Sequence, residues 1–199
     1  MDAQSGIWTI DEARQSHFFD EALAQAICDL FDKAAYQYAI ADLGCGRGSY
    51  CHYLESYGLG RCSGYEGTPI QQTALAEHSP IYELDLSLPL IKVGGDDVRV
   101  LDYEIVLCLE VGEHIPQQRE QVFIDNVCKF TRPDGWLVLS WAIPGQGGRG
   151  HVNERDNEYI IAQFKQRGMK YNSEHSNRLR NDSTLPWFKN TLMVFKNKE

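Results

Sequence analysis

Three glycines at alternate positions, Gly44, Gly46 and Gly48, follow the apolar run Tyr38–Leu43. Glycine in such a turn lets the chain bend tightly and lets a ligand touch the backbone. Asp42 stands two residues before Gly44. A carboxylate there would repel a pyrophosphate and attract a cation, which separates this loop from a dinucleotide fingerprint. Twenty residues after Gly46, Glu66 ends the next strand-like run. Asp85 and Leu86 follow the segment Ile81–Leu84, and Glu110, Glu113 and His114 follow Ile105–Leu109. Beyond Ser140–Ile143, glycines at 145, 147, 148 and 150 surround Arg149 and precede His151 and Asn153. A loop of that composition is expected to bring Arg149, His151 and Asn153 to a reacting partner.

The elements that must position these residues alternate in type. Apolar spacing predicts a helix from about Asp11 to Lys33, with Phe18, Phe19, Leu23, Ala26, Ile27 and Phe31 on one stripe. Short buried strands are expected at Tyr38–Leu43, Arg61–Tyr65, Ile81–Leu84, Ile105–Leu109 and Trp136–Ala142, with a looser one at Leu192–Phe195. Helices are expected at Ser49–Tyr57, from Thr68 to His78, from Pro116 to Phe130 and from Asn153 to Gly168. Gly94–Asp102 and Arg132–Gly135 read as turns. Single short strands alternating with helices predict an α/β fold, a parallel sheet covered on both faces. Ligands of such sheets sit at the carboxyl ends of the strands.

The segment Asp42-Leu-Gly-Cys-Gly-Arg-Gly48 resembles the first motif of class I S-adenosylmethionine-dependent methyltransferases of the small-molecule type. Leu109-Glu-Val-Gly-Glu-His-Ile115 resembles a stretch found in many of them. With Glu66 and Asp85-Leu86, the resemblance spans about residues 38–115 in the family's order. It implies a doubly wound, mostly parallel, seven-stranded Rossmann-like sheet with helices on both faces. It also implies S-adenosylmethionine as cofactor, leaving as S-adenosylhomocysteine. Asp42, Gly44, Cys45, Gly46 and Gly48 would form the cofactor loop. Glu66 and Gly67 would meet the ribose, and Asp85 and Leu86 the adenine. Leu109 and Glu110 would line the methionine part, while Glu113 and His114 would face the transferred methyl. One domain is expected over 1–199, with residues 1–36 as a helical extension over the cofactor. Residues 37–144 would be the cofactor-binding core, and 145–199 an acceptor-side loop followed by a carboxyl-terminal helix and strands.

The favoured acceptor is a small-molecule or sugar hydroxyl, with His114 as first base and His151 as second. A small-molecule nitrogen, or a non-catalytic cofactor-binding module, is the alternative. A nicotinamide dehydrogenase is disfavoured by Asp42. The net charge of -9 and the lack of an Asn/Asp-Pro-Pro-aromatic signature after Ile105–Leu109 speak against nucleic acid as partner. No apolar stretch approaches the length a membrane span needs, and no targeting signal is legible, so a cytoplasmic location is expected. The six cysteines form no paired metal-ligand spacing and read as scattered thiols; no metal is assigned to the site.

Overall fold

Successive residues of the central strands turn to opposite faces, and both faces are covered. The computed structural model describes residues 2, 5–9, 11–12, 17–32, 36–68, 79–90 and 102–198. Among these, a seven-stranded sheet forms from β1 (Tyr38–Leu43), β2 (Gly60–Glu66), β3 (Ile81–Glu83), β4 (Tyr103–Cys108), β5 (Thr131–Leu139), β6 (Met169–Tyr171) and β7 (Met193–Asn197). Their spatial order is β3-β2-β1-β4-β5-β7-β6. The pairings are parallel except those of β7, which runs antiparallel to β5 and to β6. The described helices are α1 (Glu21–Phe31), α2 (Ser49–Tyr57), α3 (Glu120–Phe130), α4 (Asn157–Lys165), α5 (Ser173–Asp182) and the single turn α6 (Phe188–Thr191).

Ile40, Ile105, Leu107, Val138 and Val194 pack with Leu23 and Ile27 of α1, Leu54 of α2 and Leu179 of α5. Their strand neighbours Ala41, Leu43, Val106, Cys108, Leu137 and Leu139 pack with Phe123, Ile124 and Val127 of α3 and Ile160 and Phe164 of α4. This two-sided burial is why the strands read as unbroken apolar runs. The described cysteines are free thiols. None of the described helices is long and apolar enough to cross a membrane.

Several boundaries differ from the sequence expectation. Asp11 and Glu12 are helical, but residues 17–20 are not, and α1 starts at Glu21, where Asp20 caps it: the carboxylate accepts the Leu23 N–H at 3.1 Å. Phe18 and Phe19 precede the helix and are exposed, outside its buried stripe. Residues Arg132–Gly135 are not a turn between elements. They form an irregularity inside β5, whose Thr131 pairs with Tyr103 before the register shifts to Ile105↔Trp136; Asp134 there has φ 58°. That strand ends at Leu139, short of Ala142. The helix after Pro116 opens with a tight turn at Gln117–Arg119 and becomes α-helical at Glu120. The helix expected from Asn153 begins only at Asn157, since Asn153 and Arg155 are engaged elsewhere. The tail adds β6 and α5, which the sequence expectation did not place. The helix expected from Pro69 to His78 and most of the Gly94–Asp102 turn lie outside the described residues.

Candidate active site

The order of the sheet reverses between β1 and β4, so the chain leaves these adjacent strands in opposite directions and opens a crevice at their carboxyl ends. A cavity of about 580 Å³ lies there. Of the residues expected to bind a cofactor, Asp42, Gly44, Cys45, Gly46, Glu66, Gly67, Asp85, Leu86, Leu109 and Glu110 line it, and so do His114 and His151. Gly48 does not line the cavity. It caps α2 with φ 75°, and Arg47, Ser49 and Tyr50 line the wall around it. Glu113 lies behind the wall, fully buried. Asn153 is buried too and turns to Glu120, not to the cavity.

The glycine loop is folded by hydrogen bonds from its own amides. The N–H groups of Gly44 and Cys45 donate to the Tyr65 carbonyl at 2.7 and 3.1 Å. At Gly46, with φ 54°, an added Cβ would land in the His17 ring, so only glycine fits both the turn and the contact. Glu66 joins two segments: one carboxylate oxygen accepts the Gly46 N–H and the other the Thr68 N–H, each at 2.9 Å. Each oxygen keeps a second lone pair for a ligand hydroxyl. Burial, and then the charge of Glu66, raises the Asp42 carboxyl to about 7. A fixed cation beside Asp42 would relieve that cost. Asp85 holds the Ser87 N–H at 2.8 Å and faces Arg119 at 4.0 Å. Asn126 fixes the same turn by donating to the carbonyls of Leu86 and Leu88.

The opposite wall is built from the residues after β4 and from the glycine loop after β5. Glu110 has φ 55°, and its carboxylate accepts the Ser140 hydroxyl at 2.8 Å. Burial raises its carboxyl above the usual range. Burial first and the neighbouring Glu110 charge second push the Glu113 carboxyl well above the usual range. His114 sets Nδ1 3.0 Å from the Gly150 carbonyl, which makes Nδ1 the protonated nitrogen and leaves Nε2 with a lone pair. Burial lowers the His114 imidazolium to about 4, so the ring is neutral at neutral pH. His151 sets Nδ1 3.1 Å from Glu154, and its ring meets that of His114 edge-on at 5.1 Å.

The loop carrying His151 is pinned at several points. The Glu113 carbonyl accepts the N–H groups of Val152 and Asn153 at 2.9 and 3.0 Å. The Trp141 indole donates to the Asn153 carbonyl at 2.6 Å. Glu120 accepts from Asn153, Arg155 and Tyr159. Gly112 is required by this packing, since an added Cβ would enter the Trp141 ring.

The amino-terminal segment crosses the cavity. Gly6 packs on the His114 carbonyl, Ile7 on Gly67, and the Trp8 carbonyl accepts the Thr68 hydroxyl at 2.9 Å. Trp8 also meets the His114 ring edge-on at 5.0 Å. Sequence reasoning did not find Ile7, Val111, Gln146, Trp187 or Phe188, which also line the cavity. The adjacent aromatics at 187–188, in a polar tail, were the available signal. Trp187 meets Phe18 edge-on at 5.6 Å.

This architecture matches known proteins. Residues 15–188 match a family model described as a methyltransferase domain. Among curated proteins, none matches this sequence. A TehB-like SAM-dependent methyltransferase from Corynebacterium glutamicum superposes with a TM-score of 0.62 at 18% identity, over 95% of this chain and 93% of that one. The Burkholderia thailandensis 1,6-didemethyltoxoflavin-N1-methyltransferase, solved with its acceptor and S-adenosylhomocysteine, gives 0.59 at 15%, over 90% and 79%. The N-methyltransferase NodS from Bradyrhizobium japonicum, solved with S-adenosylhomocysteine, gives 0.58 at 16%, over 90% and 87%. With the family model covering most of its length and the glycine loop, Asp42 and Glu66 gathered at one cleft, the chain belongs to the methyltransferase domain family, as a class I S-adenosylmethionine-dependent methyltransferase.

Proposed function

We propose that this protein moves the methyl group of S-adenosylmethionine to a hydroxyl of a small molecule. The observation that carries the choice of oxygen is the pair of imidazoles on the cavity wall. His114 and His151 each have Nδ1 held by an oxygen partner, so each neutral ring presents Nε2 as an acceptor. A hydroxyl must lose its proton as it attacks, whereas an amine that arrives neutral needs no base.

In this reading the loop of Asp42, Gly44, Cys45, Gly46 and Gly48 holds the amino-acid end of the cofactor. Asp42 faces the ammonium. The first turn of α2, to which Gly48 supplies no side-chain cap, faces the carboxylate. Glu66 and Gly67 take the ribose, Asp85 and Leu86 the adenine, and Leu109 and Glu110 the methionine chain. The acceptor oxygen attacks the methyl carbon, a C–O bond forms, and the C–S bond breaks with its electron pair going to sulfur. Positioning supplies much of the rate, because the sulfonium already activates the methyl. Without other help the proton goes to Nε2 of His114, with His151 next in line and Glu113 behind them. Trp8, Phe18, Trp187 and Phe188 give the cavity aromatic walls, which favours a flat, apolar acceptor over a sugar.

Two of the similar structures are N-methyltransferases by name, which favours nitrogen as the second reading. The test is methyl transfer from isotopically labelled cofactor to matched pairs that differ only in the nucleophile, phenol against aniline and alcohol against amine. Oxygen products that depend on His114 support the proposal. Labelled amines alone, with His114→Ala fully active, overturn it.

A further inference from the structure

Glu113 is fully buried, and neither of its carboxylate oxygens has a hydrogen-bond partner. A buried carboxyl with no partner is costly, and in a folded protein it calls for a counterpart. The groups beside it are metal-binding types. Glu113, His114 and His151 each offer one ligand atom, and these atoms lie within 4.8 Å of one another. From this arrangement we infer that the three residues form a binding site for a divalent first-row transition ion, at the acceptor side of the cavity.

The surroundings fit that assignment. A metal-binding histidine commonly donates its other ring N–H to a carbonyl or carboxylate, which fixes the tautomer and aims the lone pair. His114 has the Gly150 carbonyl at 3.0 Å for this purpose, and His151 has the Glu154 carboxylate at 3.1 Å. Glu154 is itself fixed by the N–H groups of Gly145 and Gly147, both at 2.7 Å. The ligands come from two separate loops, yet the distance between them is set. The backbone carbonyl of Glu113 holds Val152 and Asn153, the residues next to His151. The site is therefore assembled before any ion arrives.

Two imidazoles and one carboxylate suit zinc, manganese, iron or cobalt better than calcium or magnesium, which prefer all-oxygen shells. Three protein ligands leave coordination positions open, and His114 and His151 line the cavity. An acceptor hydroxyl can take an open position. The cation lowers the pKa of that hydroxyl, whose proton then leaves to solvent rather than to His114. The oxygen attacks the methyl carbon and sulfur keeps the C–S pair, as before. The role in transfer rests on the oxygen-acceptor reading above; the ion site itself rests only on the residues.

The test uses the tag-free protein, stripped of metal with a chelator. Cobalt(II) and zinc(II) are titrated by calorimetry, and cobalt binding is also followed by its visible absorption. One equivalent should bind, and zinc should displace cobalt. Glu113→Gln and His151→Ala should each weaken binding by about 100-fold or more, beyond what loss of an outer partner costs. Glu154→Gln changes a half-buried loop residue outside the core and keeps an acceptor oxygen, and it should weaken binding by about 10-fold. No ion binding by the unmodified protein, or undiminished binding in Glu113→Gln and His151→Ala, overturns the site. Titration of S-adenosylhomocysteine into the same sample separates the two readings. Cofactor binding without ion binding removes the metal site and leaves the methyltransferase reading intact. Hydroxyl methylation at full rate in the presence of chelator overturns the ion's role in transfer.

Discussion

The proposed cofactor pose makes Asp42 a link between cofactor binding and a proton. Its carboxyl is raised from 3.8 to about 7, first by burial and then by the charge of Glu66. One pKa unit is worth about 1.4 kcal/mol, so ionising Asp42 in the ligand-free fold costs about 4 kcal/mol. For an acid whose folded pKa is raised, the folded state holds the proton more tightly, and stability falls as pH rises from 3.8 toward 7. Asp42→Asn should therefore be more stable than the unmodified protein at about pH 8, by up to about 4 kcal/mol, with the gap closing toward about pH 4. Binding should change the opposite way. In the pose proposed above, the ammonium of S-adenosylhomocysteine faces the ionised carboxylate, so below pH 7 binding should expel a proton from Asp42. Affinity measured by calorimetry should rise nearly tenfold per pH unit from about pH 5.5 to about pH 6.5, then level off. In Asp42→Asn the slope should vanish, and the two proteins should converge at the acid end. His17, whose ring stands against Gly46 and whose pKa is lowered mainly by desolvation, remains in both proteins and serves as the internal control. A flat profile in the unmodified protein, or the same slope in Asp42→Asn, would refute the linkage.

Glu66→Ala should weaken S-adenosylhomocysteine binding by about 1–3 kcal/mol in calorimetry while the circular dichroism spectrum persists, because the loss falls on two loop amides and, in the proposed pose, on the cofactor's hydroxyls. Asp20→Asn should cost about 2 kcal/mol in urea unfolding at neutral pH, since Asp20 accepts from Leu23, Thr184 and Leu185. Those hydrogen bonds hold its carboxyl below the usual range against the opposing effect of burial. Its contribution is present above the ordinary carboxylate pKa and lost as pH falls through the lowered one, so in strong acid the variant and the parent should unfold alike. Gly112→Ala should destabilise by about 1–3 kcal/mol by forcing Trp141 aside, and the indole's emission should shift; an unaltered melting temperature would contradict the packing. Duplex DNA should show no salt-sensitive gel shift at physiological ionic strength, given the net charge of -9.

The sequence determined the cofactor half. Tyr38–Leu43 and Ile105–Leu109 are apolar at every position, or nearly so, because both sheet faces bury them. Gly44 and Gly46 stand where local backbone geometry demands them, so their positions are legible without the rest of the chain. Glu66 and Asp42 were readable for the same reason, each at a fixed step from a strand end. The acceptor side depended on contacts between distant segments. That Glu113 turns inward without a partner, that Asn153 serves Glu120 and not the cavity, and that Trp187 and Phe188 close a wall all follow from how loops dock on the finished sheet. Gly112 illustrates the difference: along the chain it fills a variable place in a motif, and only the position of Trp141 makes it obligatory. The bulge in β5 has the same origin. Arg-Pro-Asp-Gly signals a turn by local preference, but pairing with β4 on both sides of it keeps the strand continuous. Local rules fix what a residue's neighbours in sequence can decide. The meeting of His114 with His151, thirty-seven positions apart in the chain, is decided by the hydrogen bonds that clamp one loop onto the other.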